Sequence, residues 1–448
     1  MALWIKAPLA ILAEDAGGGI VVDGATIAEL VPAGGTPRAA VDEAFDAAAH
    51  VVLPGLINAH HHFYQTLTRA HGAALDKELF PWLSALYPVW GRLNPEAVRL
   101  AVRLAMVELL LSGCTTSSDH HYVFPPGALD AIDIAVEEAR ALGLRVVLTR
   151  GSMNLSQKDG GLPPDGVVQD AETIIADSAR LIAAHHQAGP GAMIQIALAP
   201  CSPFSVTAGL MRETADLARR QGVRLHTHLA ETEDENAFCQ AQFGCRPLDY
   251  LEQVGWLADD VWLAHGIHFT TAERDRLAAA GVSVCHCPHS NMILASGFCA
   301  VPALEAAGCA VGLGVDGSAS NNASNMIQEV RQALLLQRVA HRDATISHRD
   351  ALRWATRGSA TCLGRADIGE IAVGKQADLA LFTMDEPRFS GHQDPLAALV
   401  LAGAHHADRV MVAGDWRVVD GAIPGLDLDR LRADHQRAAV ALAARASA

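Results

Sequence analysis

Short apolar runs alternate with longer stretches of helical period along most of this chain. The runs at residues 50–62 (HVVLPGLINAHHH), 114–121, 144–152 and 193–200 read as strands, as do 223–231, 261–267, 282–290 and 310–318. Between them lie Ala/Leu-rich segments with apolar positions three and four residues apart. PEAVRLAVRLAMVELLLSG, ALDAIDIAVEEARALG, TAGLMRETADLARRQG and TAERDRLAAAG each end in glycine, as a helix C-cap does. Eight strand-then-helix units over residues 56–365 predict an α/β fold, a (β/α)8 TIM-like barrel. A doubly wound open sheet is the alternative. It usually carries a Gly-rich phosphate loop after its first strand, and here histidines stand in that place.

The two ends have a different texture. Residues 1–55 and 366–425 are short β-rich segments with Gly and Asp turns, which predict one small β-sandwich domain assembled from both termini. Residues 426–448 read as an exposed C-terminal helix.

Composition narrows the function. The chain has 448 residues, half of them apolar and 19% charged, as in ordinary globular proteins. No apolar run reaches membrane-spanning length and the N-terminus lacks signal-peptide features, so a cytoplasmic location is expected. A formal net charge of −16 argues against nucleic acid or an anionic membrane as partner and leaves a small molecule. Nine scattered cysteines suit a reducing compartment, and Cys285 and Cys287 read as packing residues. The oddity is 21 histidines, many of them at predicted strand ends.

In a barrel those C-terminal strand ends converge on one mouth. They supply His60 and His62, then Asp119, His120 and His121, then His226, His228 and Glu231, and finally His265, His286 and Asp316. Side chains alternate faces along a strand, so His60 and His62 share a face and can reach one metal ion, while His61 points into the wall. His228 approaches from across the barrel, and Asp316 can bind metal through a carboxylate oxygen and take a proton from water. Glu231 is placed to shuttle a proton to a leaving group and His265 to hydrogen-bond a developing oxyanion. That set suits hydrolysis of an unreactive C–N bond.

The segments PGLINAHHH, HTHLAE, LAHG, HCPHSNMILASG and GLGVDGSASNN, in this order across the chain, resemble the amidohydrolase superfamily and within it the nucleobase-deaminase and triazine-hydrolase branch. The resemblance implies a metal held by His60, His62, His228 and Asp316, with Glu231 and His265 acting on substrate and protons. Binuclear members carry a lysine at the end of strand four; IALAPCSP has none, so one divalent ion is expected, Zn2+ ahead of Fe2+. His286, Pro288, Ser290 and Asn291 satisfy the strand-seven motif, and His289 is an extra residue expected at the surface.

Gln65, three residues after the second metal histidine, matches the glutamine that guanine deaminases use on the purine ring. The arginine such enzymes carry before the strand-four loop is replaced here by Ala199, Pro200 and Cys201. The HHHFYQ stretch, the Asp-His after strand two and the APCS loop are most similar to deaminases of 8-oxoguanine, whose relatives include hydroxyatrazine ethylaminohydrolases. Deamination of 8-oxoguanine to urate and ammonia is the expectation. A triazine aminohydrolase or chlorohydrolase, or a guanine or S-adenosylhomocysteine deaminase, is the alternative. A barrel that has lost its chemistry is opposed by the presence of all four ligands. Cys201, His120, Tyr122 and Trp82 are expected to line the pocket, with ordinary packing as their other reading. A homodimer follows from the resemblance alone.

Overall fold

The computed structural model describes residues 1–447, and Ala448, the end of the expected C-terminal helix, lies outside the described residues. Eight parallel strands follow one another in chain order around one sheet: Leu56–Asn58, Cys114–His121, Arg145–Ser152, Ile194–Pro200, Leu225–Leu229, Val261–His265, Ser283–His286 and Val311–Leu313. The first and last strands meet through backbone bonds. Ala59 N–H donates to Leu313 O at 2.9 Å and Asp316 N–H to His60 O at 3.0 Å, which rounds the sheet into a barrel. Helices between the strands cover it, as the periodicity predicts. Helix Pro95–Leu111 starts on Asn94, whose side chain accepts from Ala97 N–H, with Pro95 at the first helical position. Its apolar stripe buries Val98, Ala101, Val102, Ala105 and Leu109, each large aliphatic side chain contributing about 1.5–3 kcal/mol. Helices Ala131–Leu142 and Ala208–Gln221 stop at left-handed glycines, Gly143 (φ 68°) and Gly222 (φ 67°).

The termini build two further sheets. A four-stranded sheet uses Ala2–Lys6, Gly19–Asp23, Thr26–Val31 and Glu43–Asp46. A five-stranded sheet joins Ala10–Ile11 and His50–Pro54 to Leu379–Thr383, Arg409–Val412 and Asp415–Val418. Ile5, Ile20, Val22, Val52, Leu379, Leu381 and Met411 form one buried core between them. Arg145 from the third barrel strand reaches Asp378 here, Nε to Oδ2 at 2.9 Å, with both side chains buried.

Two expectations are corrected. The run 50–62 is not one strand: His50–Pro54 pairs antiparallel with Leu379–Thr383, and only Leu56–Asn58 belongs to the barrel. The break falls at Gly55, where a Cβ would stand 2.1 Å from Thr115 Oγ1, so the close approach of the second barrel strand needs glycine. The C-terminal helix, Leu428–Ser447, is not a free surface element. It buries Leu431 and Leu442, and His435 Nε2 lies 3.0 Å from Thr66 Oγ1, in the 3-10 turn that follows His62.

Candidate metal and catalytic site

His60 and His62 lie just beyond the first barrel strand, in extended chain that still alternates, so both rings enter the barrel mouth. His61 goes the other way, with Nδ1 on its neighbour's amide and Nε2 2.9 Å from Ser324 Oγ. The loop is anchored by Asp119, whose Oδ1 accepts from Phe63 N–H at 2.7 Å. His228 comes from the fifth strand. Ala230 (φ 54°), His265 (φ 72°) and Asp316 (φ 62°) are held in the left-handed region that non-glycine residues avoid. Backbone of that kind costs on the order of 1–3 kcal/mol per residue and persists only where the surroundings enforce it.

The hydrogen bonds behind the rings set their tautomers. His62 Nδ1–H donates to His120 O at 2.6 Å, and His228 Nδ1–H to Cys201 O at 2.7 Å. His226 Nδ1–H donates to Trp262 O at 2.8 Å, so its Nε2 accepts from His60 Nδ1–H, also at 2.8 Å. Each of His60, His62 and His228 is therefore left with a bare Nε2 lone pair aimed into one space. The Nε2 atoms of His62 and His228 face each other at 3.2 Å, and His60 Nε2 makes no hydrogen bond among the described residues. Converging lone pairs repel unless a positive centre sits between them. Asp316 Oδ1 completes the set at 3.3 Å from both His60 Nε2 and His62 Nε2. The donors fit a divalent metal ion, with three neutral imidazoles, one carboxylate and orienting partners behind the rings.

Two carboxyls beside this cluster are driven apart in acidity. Burial pushes the Asp316 carboxyl up, but its interactions with His60 and His62, whose Nε2 atoms each lie 3.3 Å from Oδ1, outweigh it and hold the group well below the usual carboxylate range. Glu231 moves the other way: burial, then the negative charge of Asp316, raise it well above the ordinary value. His265 Nε2 stands between them, 3.5 Å from Glu231 Oε2 and 4.0 Å from Asp316 Oδ2, while its Nδ1 lies 3.0 Å from Asn291 Oδ1. A buried neutral acid next to a buried anion can give one proton and accept another.

These groups open into a cavity whose walls include Gln65, Trp82, Tyr122, Cys201, Glu231 and His265. Leu79, Leu83 and Phe204 also line it without a motif cue in the sequence, as do Leu294 and Ser320, which lie within the strand-seven and strand-eight motifs. Gln65 is buried, with Oε1 unpartnered among the described residues. It packs where Gly317 lacks a side chain, and a Cβ there would lie 1.8 Å from that oxygen. The Cys201 thiol faces the cavity, pushed up to about 12 by burial, and is neutral.

His120 is not among the lining residues. It stacks behind His228 at 4.7 Å between centroids, and its Nε2–H donates to Ala199 O at 2.9 Å, so it backs the pocket rather than touching its contents. His121 and His286 are buried away from the cavity, each lowered to about 3 by desolvation, and Cys285 and Cys287 pack in the barrel interior as expected. His289 is not a plain surface residue; it pairs with the buried carboxylate of Glu329. Glu235 was missed as well. It accepts from Ala230 N–H and Glu231 N–H at 3.1 and 3.0 Å and so holds the loop that presents Glu231.

A family model described as the amidohydrolase family matches residues 51–417. An 8-oxoguanine deaminase of Pseudomonas aeruginosa is 61% identical over 98% of this chain and 99% of its own length. A hydroxydechloroatrazine ethylaminohydrolase of Pseudomonas sp. strain ADP is 38% identical over 84% of this chain and 79% of its own. Among solved structures, an atrazine chlorohydrolase from Arthrobacter aurescens complexed with zinc superposes with a TM-score of 0.92 at 31% identity, covering 98% of this chain and all of that one.

Proposed function

This chain belongs to the amidohydrolase family, and from that premise we propose that it hydrolyses 8-oxoguanine at C2, with water replacing the amino group to give urate and ammonia. The observation that carries the reading is the set of three bare Nε2 lone pairs converging beside an ionised Asp316, with a neutral Glu231 across the cavity. His60, His62, His228 and Asp316 would hold one divalent ion, Zn2+ ahead of Fe2+. The zinc complex of the atrazine chlorohydrolase supports that choice. Bound there, such an ion makes water acidic enough to ionise near neutral pH and polarises the carbon under attack.

The chain's own residues do the rest. Asp316, kept anionic, accepts the proton that the attacking water loses. Glu231, kept neutral by burial, donates a proton to the ring nitrogen next to C2 and then relays one to the departing amine, so that ammonia rather than amide ion leaves. His265 faces the same space and hydrogen-bonds the oxygen that becomes the new carbonyl. Trp82, Leu83, Phe204 and Leu294 wall a space suited to a flat heterocycle, and Gln65 offers a donor and an acceptor to a purine edge. The Cys201 thiol lies on the same wall and is the candidate contact for the 8-oxo edge.

The likeness to the Pseudomonas aeruginosa enzyme supports the substrate. The test is ammonia release by zinc-loaded protein from 8-oxoguanine, guanine, isocytosine, hydroxyatrazine and S-adenosylhomocysteine. We expect kcat/KM for 8-oxoguanine to exceed the others by at least about tenfold, as for a pocket built around one ring's polar edge. Faster turnover of hydroxyatrazine or S-adenosylhomocysteine would overturn the assignment.

A further inference from the structure

We propose that Glu329, together with its partner His289, is a positioning residue for the reaction assigned above. It locks the loops after the seventh and eighth barrel strands in one register and through them fixes His265 and the cavity wall. The inference rests on that functional reading.

Glu329 lies in helix Met326–His341 and is 1% exposed. A buried carboxylate is costly unless every oxygen is paired, and no arginine or lysine pairs with this one among the described residues. Three donors reach it from two different loops. His289 N–H gives Oε1 a bond of 3.0 Å, and His289 Nδ1–H gives Oε2 one of 2.6 Å. Asn321 Nδ2–H also reaches Oε2, at 3.1 Å, while donating to Val315 O at 2.6 Å. His289 belongs to the short helix Pro288–Ile293 in the segment after the seventh strand, and Asn321 to the loop after the eighth. One carboxylate therefore bridges both.

What those loops carry gives the bridge its meaning. Two residues beyond His289 is Asn291, whose Oδ1 is the partner of His265 Nδ1. The residue between them, Ser290, donates to Ser320 Oγ at 2.9 Å, and Ser320 lines the cavity and donates on to Gly317 O at 3.1 Å. Gly317 is the seat of Gln65, and Val315 precedes Asp316. Glu329 touches neither the cavity nor the candidate metal ligands, so its effect would travel through these loops. His289 is half-buried with its ring edge toward solvent, where protonation can balance the Glu329 charge.

The experiment compares wild type with His289→Ala, His289→Asn and Glu329→Gln as zinc-loaded proteins. Zinc content, kcat, KM and Tm are measured for each. Asparagine keeps a donor where histidine has Nδ1–H, so it should restore what alanine removes. His289→Ala should bind zinc as wild type does, with kcat down about tenfold or more and KM changed less, as expected when reacting groups shift by a fraction of an ångström. His289→Asn should recover most of that loss. Unchanged kcat in His289→Ala would overturn the proposal. So would a loss that follows Tm and is not recovered by asparagine, because that pattern marks a purely structural pair. Should Glu329→Gln fail to fold, the two His289 variants decide alone. If wild type leaves 8-oxoguanine untouched, the functional reading fails on its own, and the same variants are then compared on whichever panel substrate wild type hydrolyses.

Discussion

His226 does not line the cavity, yet it decides which nitrogen His60 can offer. Its Nδ1–H is committed to Trp262 O, which makes Nε2 an acceptor and holds the proton on His60 Nδ1. His226→Ala should therefore weaken zinc binding about 10–100-fold in a chelator competition titration, as loss of a ligand-orienting partner does. Unaltered affinity would mean that the His60 tautomer is set elsewhere. Glu231 supplies the matching prediction for chemistry. Because burial raises its pKa, its neutral form persists above the ordinary carboxylate range, and activity that depends on it should fall as pH rises through the raised value. Glu231→Gln should keep its zinc and its Tm while kcat drops about 10²–10⁴-fold and the alkaline limb disappears from the pH profile. Activity near wild type would remove Glu231 from the proton path. His60, His62, His228, Glu231, His265 and Asp316 were legible because each stands at a predicted strand end. His226 was legible only as a strand-end histidine, since its partner His60 lies 166 residues away and hydrogen-bond direction is not written in one dimension.

Elements set the reach of those side chains. Helix Glu233–Phe243 brings Glu235 back under the loop that carries Glu231, where its carboxylate accepts both Ala230 and Glu231 amides. Burial raises Glu235 from its ordinary 4.5 to about 7, so the folded chain binds this proton more tightly than the unfolded one. Stability from this group is thus complete below pH 4.5 and is lost as pH rises through 7. The change amounts to at most about 3 kcal/mol. Glu235→Gln cannot titrate, and urea unfolding from pH 5 to 8 should show a flatter decline than wild type. An identical slope would place the titration elsewhere. Strand and helix order was readable from alternating periods, but two element-level features were not. Residues 50–62 contain the apolar stretch VVLPGLI, which reads as part of one strand, and only the contact of Gly55 with Thr115 shows why the chain changes sheets there. The C-terminal helix reads as exposed, and its burial comes from packing on helix Pro95–Leu111 and on the turn after His62, where His435 and Thr66 meet across 369 residues.

At the scale of the whole molecule, the barrel gathers groups from distant parts of the chain at one end, and the terminal sheets brace it from outside through the buried Arg145–Asp378 pair. No helix among the described residues is long and apolar enough to cross a membrane. The barrel and the ligand set were legible because strands one, two and five to eight end in titratable residues at a fixed place in the repeat. The apolar side of the pocket was not: Leu79, Leu83, Phe204 and Leu294 are ordinary core residues until the fold brings them to one wall. In the proposed reaction water is delivered to a purine carbon in exchange for ammonia at this single centre. The decisive measurement is turnover of 8-oxoguanine by the zinc-loaded protein in water enriched in the heavy oxygen isotope, with mass spectrometry of the product. We expect urate carrying one heavy oxygen, one equivalent of ammonia for each urate, and neither product after the metal is chelated. Absence of urate, or urate formed without the label, would contradict it.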